Sequence, residues 1–155
     1  MSNLQEKLEK ITVNVGVGKV IKDTKHIAAV EENLMKITGQ KPARRMAKKA
    51  IAGFKLREGD LVGLVVTLRG KRMHDFLTRL TKLTLPSNRD FKGINESSID
   101  ATGNLTIGLA DMTAFPELHD LAGSFEHGIE VTMVSSAPRV KAKAFYESLG
   151  IPFKK

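Results

Sequence analysis

Between Lys41 and Arg57 the chain carries seven cations, Lys41, Arg44, Arg45, Lys48, Lys49, Lys55 and Arg57, and meets no acid before Glu58. A merely solvated face usually mixes both signs, so a one-sign run of this density predicts a polyanionic partner, with RNA favoured. Lysines supply point charges and arginines a planar fork for phosphate oxygens, and each phosphate neutralised releases condensed counterions. Ala52-Gly53-Phe54 lies inside the run. It sets a turn beside an aromatic ring able to stack on a base or ribose.

Other chemistries find no such support. Val15-Gly16-Val17-Gly18 has the start of a dinucleotide fingerprint, but Ile21 stands where the third glycine belongs, and there is no Walker lysine motif. Glycines that let another backbone or an RNA approach closely are the better reading. His26, His74, His119 and His127 are scattered, without His-Glu-x-x-His spacing and with no cysteine in the chain, so no metal site is expected. Catalysis needs a nucleophile with an orienting base or a converging carboxylate pair; Glu96 with Asp100 and Asp111 with Glu117 sit in loop-like stretches instead. The expectation is a binding protein with no cofactor, not an enzyme.

The elements that must position these residues are legible from periodicity. Ile11, Val13, Val15 and Val17 alternate with Thr12, Asn14, Gly16 and Gly18, and Val62, Leu64, Val66 and Leu68 with Gly63, Val65, Thr67 and Arg69. Leu105, Ile107 and Leu109, and later Ile129, Val131 and Met133, repeat the pattern, giving four half-buried strands. Ile27, Val30, Leu34 and Ile37 recur at helical spacing after a cap at Asp23 or Thr24, and Gly39 supplies a left-handed stop. A second helix runs from Gly70 through Leu83, with Met73, Phe76, Leu77 and Leu80 as its stripe and Pro86 as its barrier. Pro138 opens a last helix carrying Val140, Ala144, Phe145 and Leu149, closed by Gly150 and Pro152.

This order predicts an α+β domain, residues 1–155 as one unit with a basic loop at about 41–58. Every strand keeps one face apolar and gives the other to Asn, Thr, Gly and Arg. The sheet should therefore be mostly antiparallel, with helices packed on one face and an open face for RNA. The 155 residues suffice to bury roughly 70% of the surface an unfolded chain exposes. The apolar share of 41%, with no run near the ~20 residues a span requires, predicts no membrane partner. A net charge of +8 agrees with a polyanionic partner, the absence of cysteine suits a reducing compartment, and Met1–Lys10 has no export signal. A cytoplasmic protein is expected.

Taken in order, several stretches resemble the bacterial-type family of large-subunit ribosomal protein five. They are Ile11-Thr-Val-Asn-Val-Gly-Val-Gly18, Thr38-Gly-Gln-Lys-Pro42, Lys49-Ala-Ile-Ala-Gly-Phe-Lys-Leu-Arg-Glu-Gly59, Val66-Thr-Leu-Arg-Gly70, Lys71-Arg-Met73, Arg89-Asp-Phe91, Gly103-Asn104, Phe115-Pro116-Glu117 and Leu149-Gly-Ile-Pro-Phe153. The resemblance covers nearly the whole chain and is carried by number, order and spacing. It implies a structural constituent of the large subunit, bound to the ribosome, whose open sheet face meets 5S rRNA through Asn14, Gln40, Thr67 and Arg69, with Lys41 beside them. It also implies that a basic loop bearing Lys48, Lys49, Phe54, Lys55 and Arg57 touches tRNA in the peptidyl site. Its further implied partners are 23S rRNA, neighbouring central-protuberance proteins and a small-subunit head protein across the intersubunit bridge.

Three departures stand out. The family usually has a longer N-terminal helical extension before its first strand, which here begins near Lys10. Its Leu-Pro-Arg-Val-Arg-Asp-Phe pattern reads Leu85-Pro-Ser-Asn-Arg-Asp-Phe91, and its commonly acidic last helix carries Arg139, Lys141 and Lys143. A free-standing RNA chaperone or translational regulator using the same sheet and loop is the alternative function.

Overall fold

The computed structural model describes residues 8–17, 24–46, 48, 59, 61–87, 93–109, 115 and 128–154. Strand β1 (Leu8–Gly16) has Ile11, Val13 and Val15 wholly buried, while Asn14 and Gly16 between and after them are exposed. The other strands are β2 (Ala43–Met46), β3 (Leu61–Leu68), β4 (Leu105–Leu109) and β5 (Ile129–Ser135). They form one sheet in the order β2-β3-β1-β5-β4, with each neighbouring pair antiparallel. With helices α1 (Thr24–Thr38), α2 (Gly70–Arg79) and α3 (Arg139–Ser148), this is the α+β class that the strand patterning predicts.

Register stacks the apolar positions into rows. Leu105, Met133, Ile11 and Leu68 stand opposite one another across four strands, and Ile107, Val131, Val13 and Val66 form the next row. These side chains join Val30, Leu34 and Ile37 of α1, Met73, Phe76 and Leu77 of α2, and Ala142, Phe145 and Tyr146 of α3 in one buried cluster. Full burial of each such aliphatic or aromatic side chain contributes roughly 1.5–3 kcal/mol, and the cluster fixes which sheet face the helices cover. Phe115 adds a buried ring 5.9 Å from that of Phe76. Gly39 ends α1 as expected, at φ +74° with its N–H donated to Met35 O at 2.7 Å.

Three local expectations need correction. Pro86 does not stop the second helix, whose path continues through a π-helical turn (Leu80–Thr84) into Leu85–Ser87. The Leu85 N–H reaches back five residues to Leu80 O, and this wider turn relieves the ring clash that a proline makes with a regular α-turn. In α3 the inward face is Ala142, Phe145 and Tyr146, whereas Ala144 is exposed and Val140 is 89% exposed. Tyr146 takes the inward place because its hydroxyl finds partners there. Finally, Ala43–Met46, read from sequence as part of a basic loop, is the edge strand β2; all four side chains are exposed, so no alternation marks it.

Tyr146 closes the sheet's second half. Its hydroxyl donates to Gly103 O at 2.7 Å with Met133 O at 3.2 Å, and Ser135 Oγ also donates to Gly103 O. Gly103 sits at φ +89°, and a Cβ there would collide with Ala137 O. Residues 152–154 are tied to Ile94: Ile94 N–H donates to Pro152 O and Lys154 N–H to Ile94 O, each at 2.9 Å.

Burial pushes the Tyr146 phenol above its ordinary range, which keeps it a donor. Tyr146→Phe should cost about 1–2 kcal/mol in urea denaturation. The folded state holds this proton more tightly than the unfolded chain does. The resulting stabilisation is complete below the ordinary phenol pKa of about 10 and is lost as pH rises beyond it. The gap between wild type and Tyr146→Phe should therefore narrow above about pH 10; a pH-independent gap contradicts the assignment. Gly103→Ala, strained in backbone and blocked by Ala137, should lose on the order of 3 kcal/mol or more in the same assay.

Candidate nucleic-acid interface

The face away from the helices is built from the other parity of each strand. One row runs Gly108, Glu130, Asn14, Val65, Ala43, from β4 to β2, and the next runs Thr106, Thr132, Thr12, Thr67. A shorter row sets Gly16 against Gly63 and Gly63 against Arg45. Asn14, Arg45, Thr106 and Glu130 are exposed, and Thr12, Thr67 and Thr132 half-buried. The face is not uniformly polar, since Val65 is only 7% exposed. At the paired glycines it dips: a Cβ on Gly63 would lie 3.2 Å from Val15 O and 3.5 Å from the Asn14 Oδ1 that leans over it. Small residues here keep the Asn14 amide accessible beside bare backbone.

Arg69 follows Thr67 by two positions and is exposed in extended backbone (φ −137°, ψ 158°) immediately before α2. Pairing of β1 with β3 therefore brings Asn14 and Thr67 to one face, as their parity predicts, and the extended backbone of Arg69 continues that alternation one step past the strand. Gln40 arrives from elsewhere, the turn after α1. Thr38 Oγ1 accepts the Gln40 N–H at 3.3 Å, the Gln40 amide donates from Nε2 to Thr67 O at 3.1 Å, and its Oε1 accepts from Arg72 Nη1 at 3.2 Å. Gln40 thus ties three elements together at the end of β3, with Lys41 exposed next to it. Arg72 is the residue sequence reading missed; only the fold reveals that α2's first turn reaches the Gln40 side chain.

The cations of the 41–57 stretch divide. Arg44 lies on the helix side of β2, opposite Leu64, and pairs with Glu31 of α1 through Nε and Nη2 at 3.3 and 3.2 Å. That carboxylate holds the Arg44 guanidinium above its ordinary range, and the pair is turned away from the open face. Arg45, one residue on, lies on the open side, and Lys48 is exposed. Lys49, Phe54, Lys55 and Arg57 lie outside the described residues, as do Gly18, Asp23, Asp111, Glu117, His119 and His127.

The remaining polar groups have local uses. Glu96 pairs with Lys143 at 3.6 Å, and Asp100 Oδ1 accepts from the Thr102 and Asn104 backbone N–H groups and from Thr102 Oγ1 at 2.8–2.9 Å. The Asn104 N–H, foremost among these donors, holds the Asp100 carboxyl below its usual range. Among the described residues no group of three or more His, Asp or Glu could hold a metal.

Comparison with known proteins accounts for both halves of the chain. A family model described as ribosomal protein L5 matches residues 5–57, and one for the C-terminus of the same ribosomal family matches residues 61–153. The large ribosomal subunit protein uL5 of Chloroflexus aurantiacus is 47% identical over 149 residues, covering 96% of this chain and 83% of that protein. Its counterpart in Fusobacterium nucleatum is 48% identical over 158 residues, with 100% and 86% covered, and that of Rubrobacter xylanophilus 44% over 148 residues, with 95% and 82% covered. Family models that match residues 5–57 and 61–153, together with relatives 44–48% identical over 82–86% of their length, show that the chain belongs to the ribosomal protein L5 family.

Proposed function

We propose that the chain is a structural, non-catalytic constituent of the large ribosomal subunit that binds 5S rRNA through the open face of its sheet. The observation that carries this reading is the placement of Asn14 and Thr67 along that face, with Arg69 just beyond the end of β3 and Gln40 bonded to Thr67 O. Three relatives that are 44–48% identical to this chain over the 148–158 matched residues are named as large-subunit proteins. Amide, hydroxyl and guanidinium groups held by sheet backbone suit the wide, shallow minor groove of an RNA helix, where recognition is chiefly of shape and of ribose hydroxyls. Gln40 acts partly by position: bonded to Thr67 O and Arg72, it fixes the end of β3 from which Arg69 projects.

The basic stretch from Lys48 to Arg57 serves a second RNA, tRNA in the peptidyl site. Cations with one aromatic ring suit a transient, sequence-tolerant contact of strong salt dependence. On the ribosome the neighbours are 23S rRNA, central-protuberance proteins and a small-subunit head protein across the bridge. The protein works in the cytoplasm as a ribosome-bound component.

Arg69→Ala and Asn14→Ala should each weaken filter-bound 5S rRNA by about 1–3 kcal/mol while leaving thermal melting within error of wild type. Unchanged affinity in both variants removes the sheet face from the site. Neutralising Lys48, Lys49, Lys55 and Arg57 together should spare 5S rRNA binding and loosen peptidyl-site tRNA. It should also flatten the logarithmic salt dependence of tRNA retention by up to ~0.7–0.9 for each phosphate no longer neutralised. Loss of 5S rRNA binding with tRNA retention intact across the titration contradicts the division of labour.

A further inference from the structure

The antiparallel register places one threonine from each of four adjacent strands in a single line. Thr106 of β4 stands opposite Thr132 of β5, Thr132 opposite Thr12 of β1, and Thr12 opposite Thr67 of β3. Directly opposed residues share a face, here the open one, and at about 4.8 Å per strand the line spans roughly 14 Å. β-branching alone explains why these positions favour strand, but valine has the same shape and would serve equally for that purpose. What threonine adds is a hydroxyl. Thr106 and Thr132 Oγ1 are 3.4 Å apart, at the outer limit of a hydrogen bond. Among the described residues no hydrogen bond engages the Thr12 or Thr67 hydroxyl, so the line retains donor and acceptor capacity.

The chemistry of the line is uncharged, with Arg69 two residues beyond Thr67 along β3 and Lys10 two residues before Thr12 along β1. Phosphates belong with those cations. A neutral hydroxyl, both donor and acceptor, fits another group of the same kind, the ribose 2′-hydroxyl displayed in the RNA minor groove. We infer that Thr12, Thr132 and Thr106 form a ribose-reading track that extends the RNA site from β1 and β3 across β5 to β4 and selects RNA over DNA. The inference rests on the proposal that this face binds 5S rRNA.

The test is the triple variant Thr12→Val, Thr106→Val, Thr132→Val, which keeps shape and leaves Asn14, Thr67 and Arg69 in place. Filter binding compares 5S rRNA with the all-2′-deoxy strand of the same sequence. The variant should bind 5S rRNA about tenfold or more weakly with unchanged affinity for the deoxy strand, so the RNA preference drops by the same factor. Its logarithmic salt slope should match wild type, because the same phosphates remain neutralised. The corresponding triple serine variant should restore binding, and single Thr12→Val should show part of the loss should the triple melt lower. Wild-type RNA preference in the valine variants overturns the track while leaving the sheet site standing, provided Arg69→Ala still weakens binding. If Arg69→Ala is also silent, both readings fall. A changed salt slope overturns the track as well, since it assigns the effect to charge.

Discussion

The structure depends on how β1 is paired. It is the central strand, with β3 on one side and β5 on the other, and both registers put Ile11 and Val13 opposite apolar residues: Leu68 and Met133, Val66 and Val131. A slip of one residue on either side would turn that neighbour's apolar set toward water and its polar set into the core. The same register that buries Ile11, Val13 and Val15 therefore also brings Thr12 and Asn14 into line with Thr67, Thr132 and Glu130. Core and open surface are two faces of one constraint.

The helices make that constraint one-sided. α1 and α2 cover the apolar face beside β1 and β3, and α3 covers it near β5, held by the Tyr146 hydroxyl on the Gly103 and Met133 carbonyls. Because each strand offers the helices only one parity, none of the described helices lies on the opposite face, where Asn14, Thr106 and Glu130 are exposed although Val65 is buried. The Arg44–Glu31 pair shows the same sorting applied to charge. A cation on the helix side of β2 is engaged by α1, while Arg45, next to it in sequence, faces the open side.

Much of this was legible in the sequence, and what was not follows a physical pattern. Alternation identified β1, β3, β4 and β5, and their parity sufficed to group Asn14, Thr67 and Arg69. The apolar spacing of Ile27, Val30, Leu34 and Ile37 found α1, and Met73, Phe76, Leu77 and Leu80 found α2. β2 escaped because an edge strand whose four side chains are all exposed is held by backbone bonds that leave no trace in side-chain pattern. The inward face of α3 was misassigned because Tyr146 counts as polar until Gly103 and Met133 are seen to satisfy it. The continuation past Pro86 depends on a π-turn that no propensity signals. For the candidate site, Gln40 was singled out through resemblance, but its bonds to Thr67 O and Arg72 join residues 27 and 32 positions away, beyond any local reading.

The central claim is that RNA lies against the face opposite the helices, and the absence of cysteine makes it directly measurable, since any single cysteine is unique. Thr132→Cys places a tethered hydroxyl-radical source on the open face, and Met35→Cys places one on the exposed side of α1. In reconstituted large subunits, 5S rRNA should be cut from position 132 and left intact from position 35. Cleavage of 5S rRNA from position 35 with none from position 132 would contradict the account.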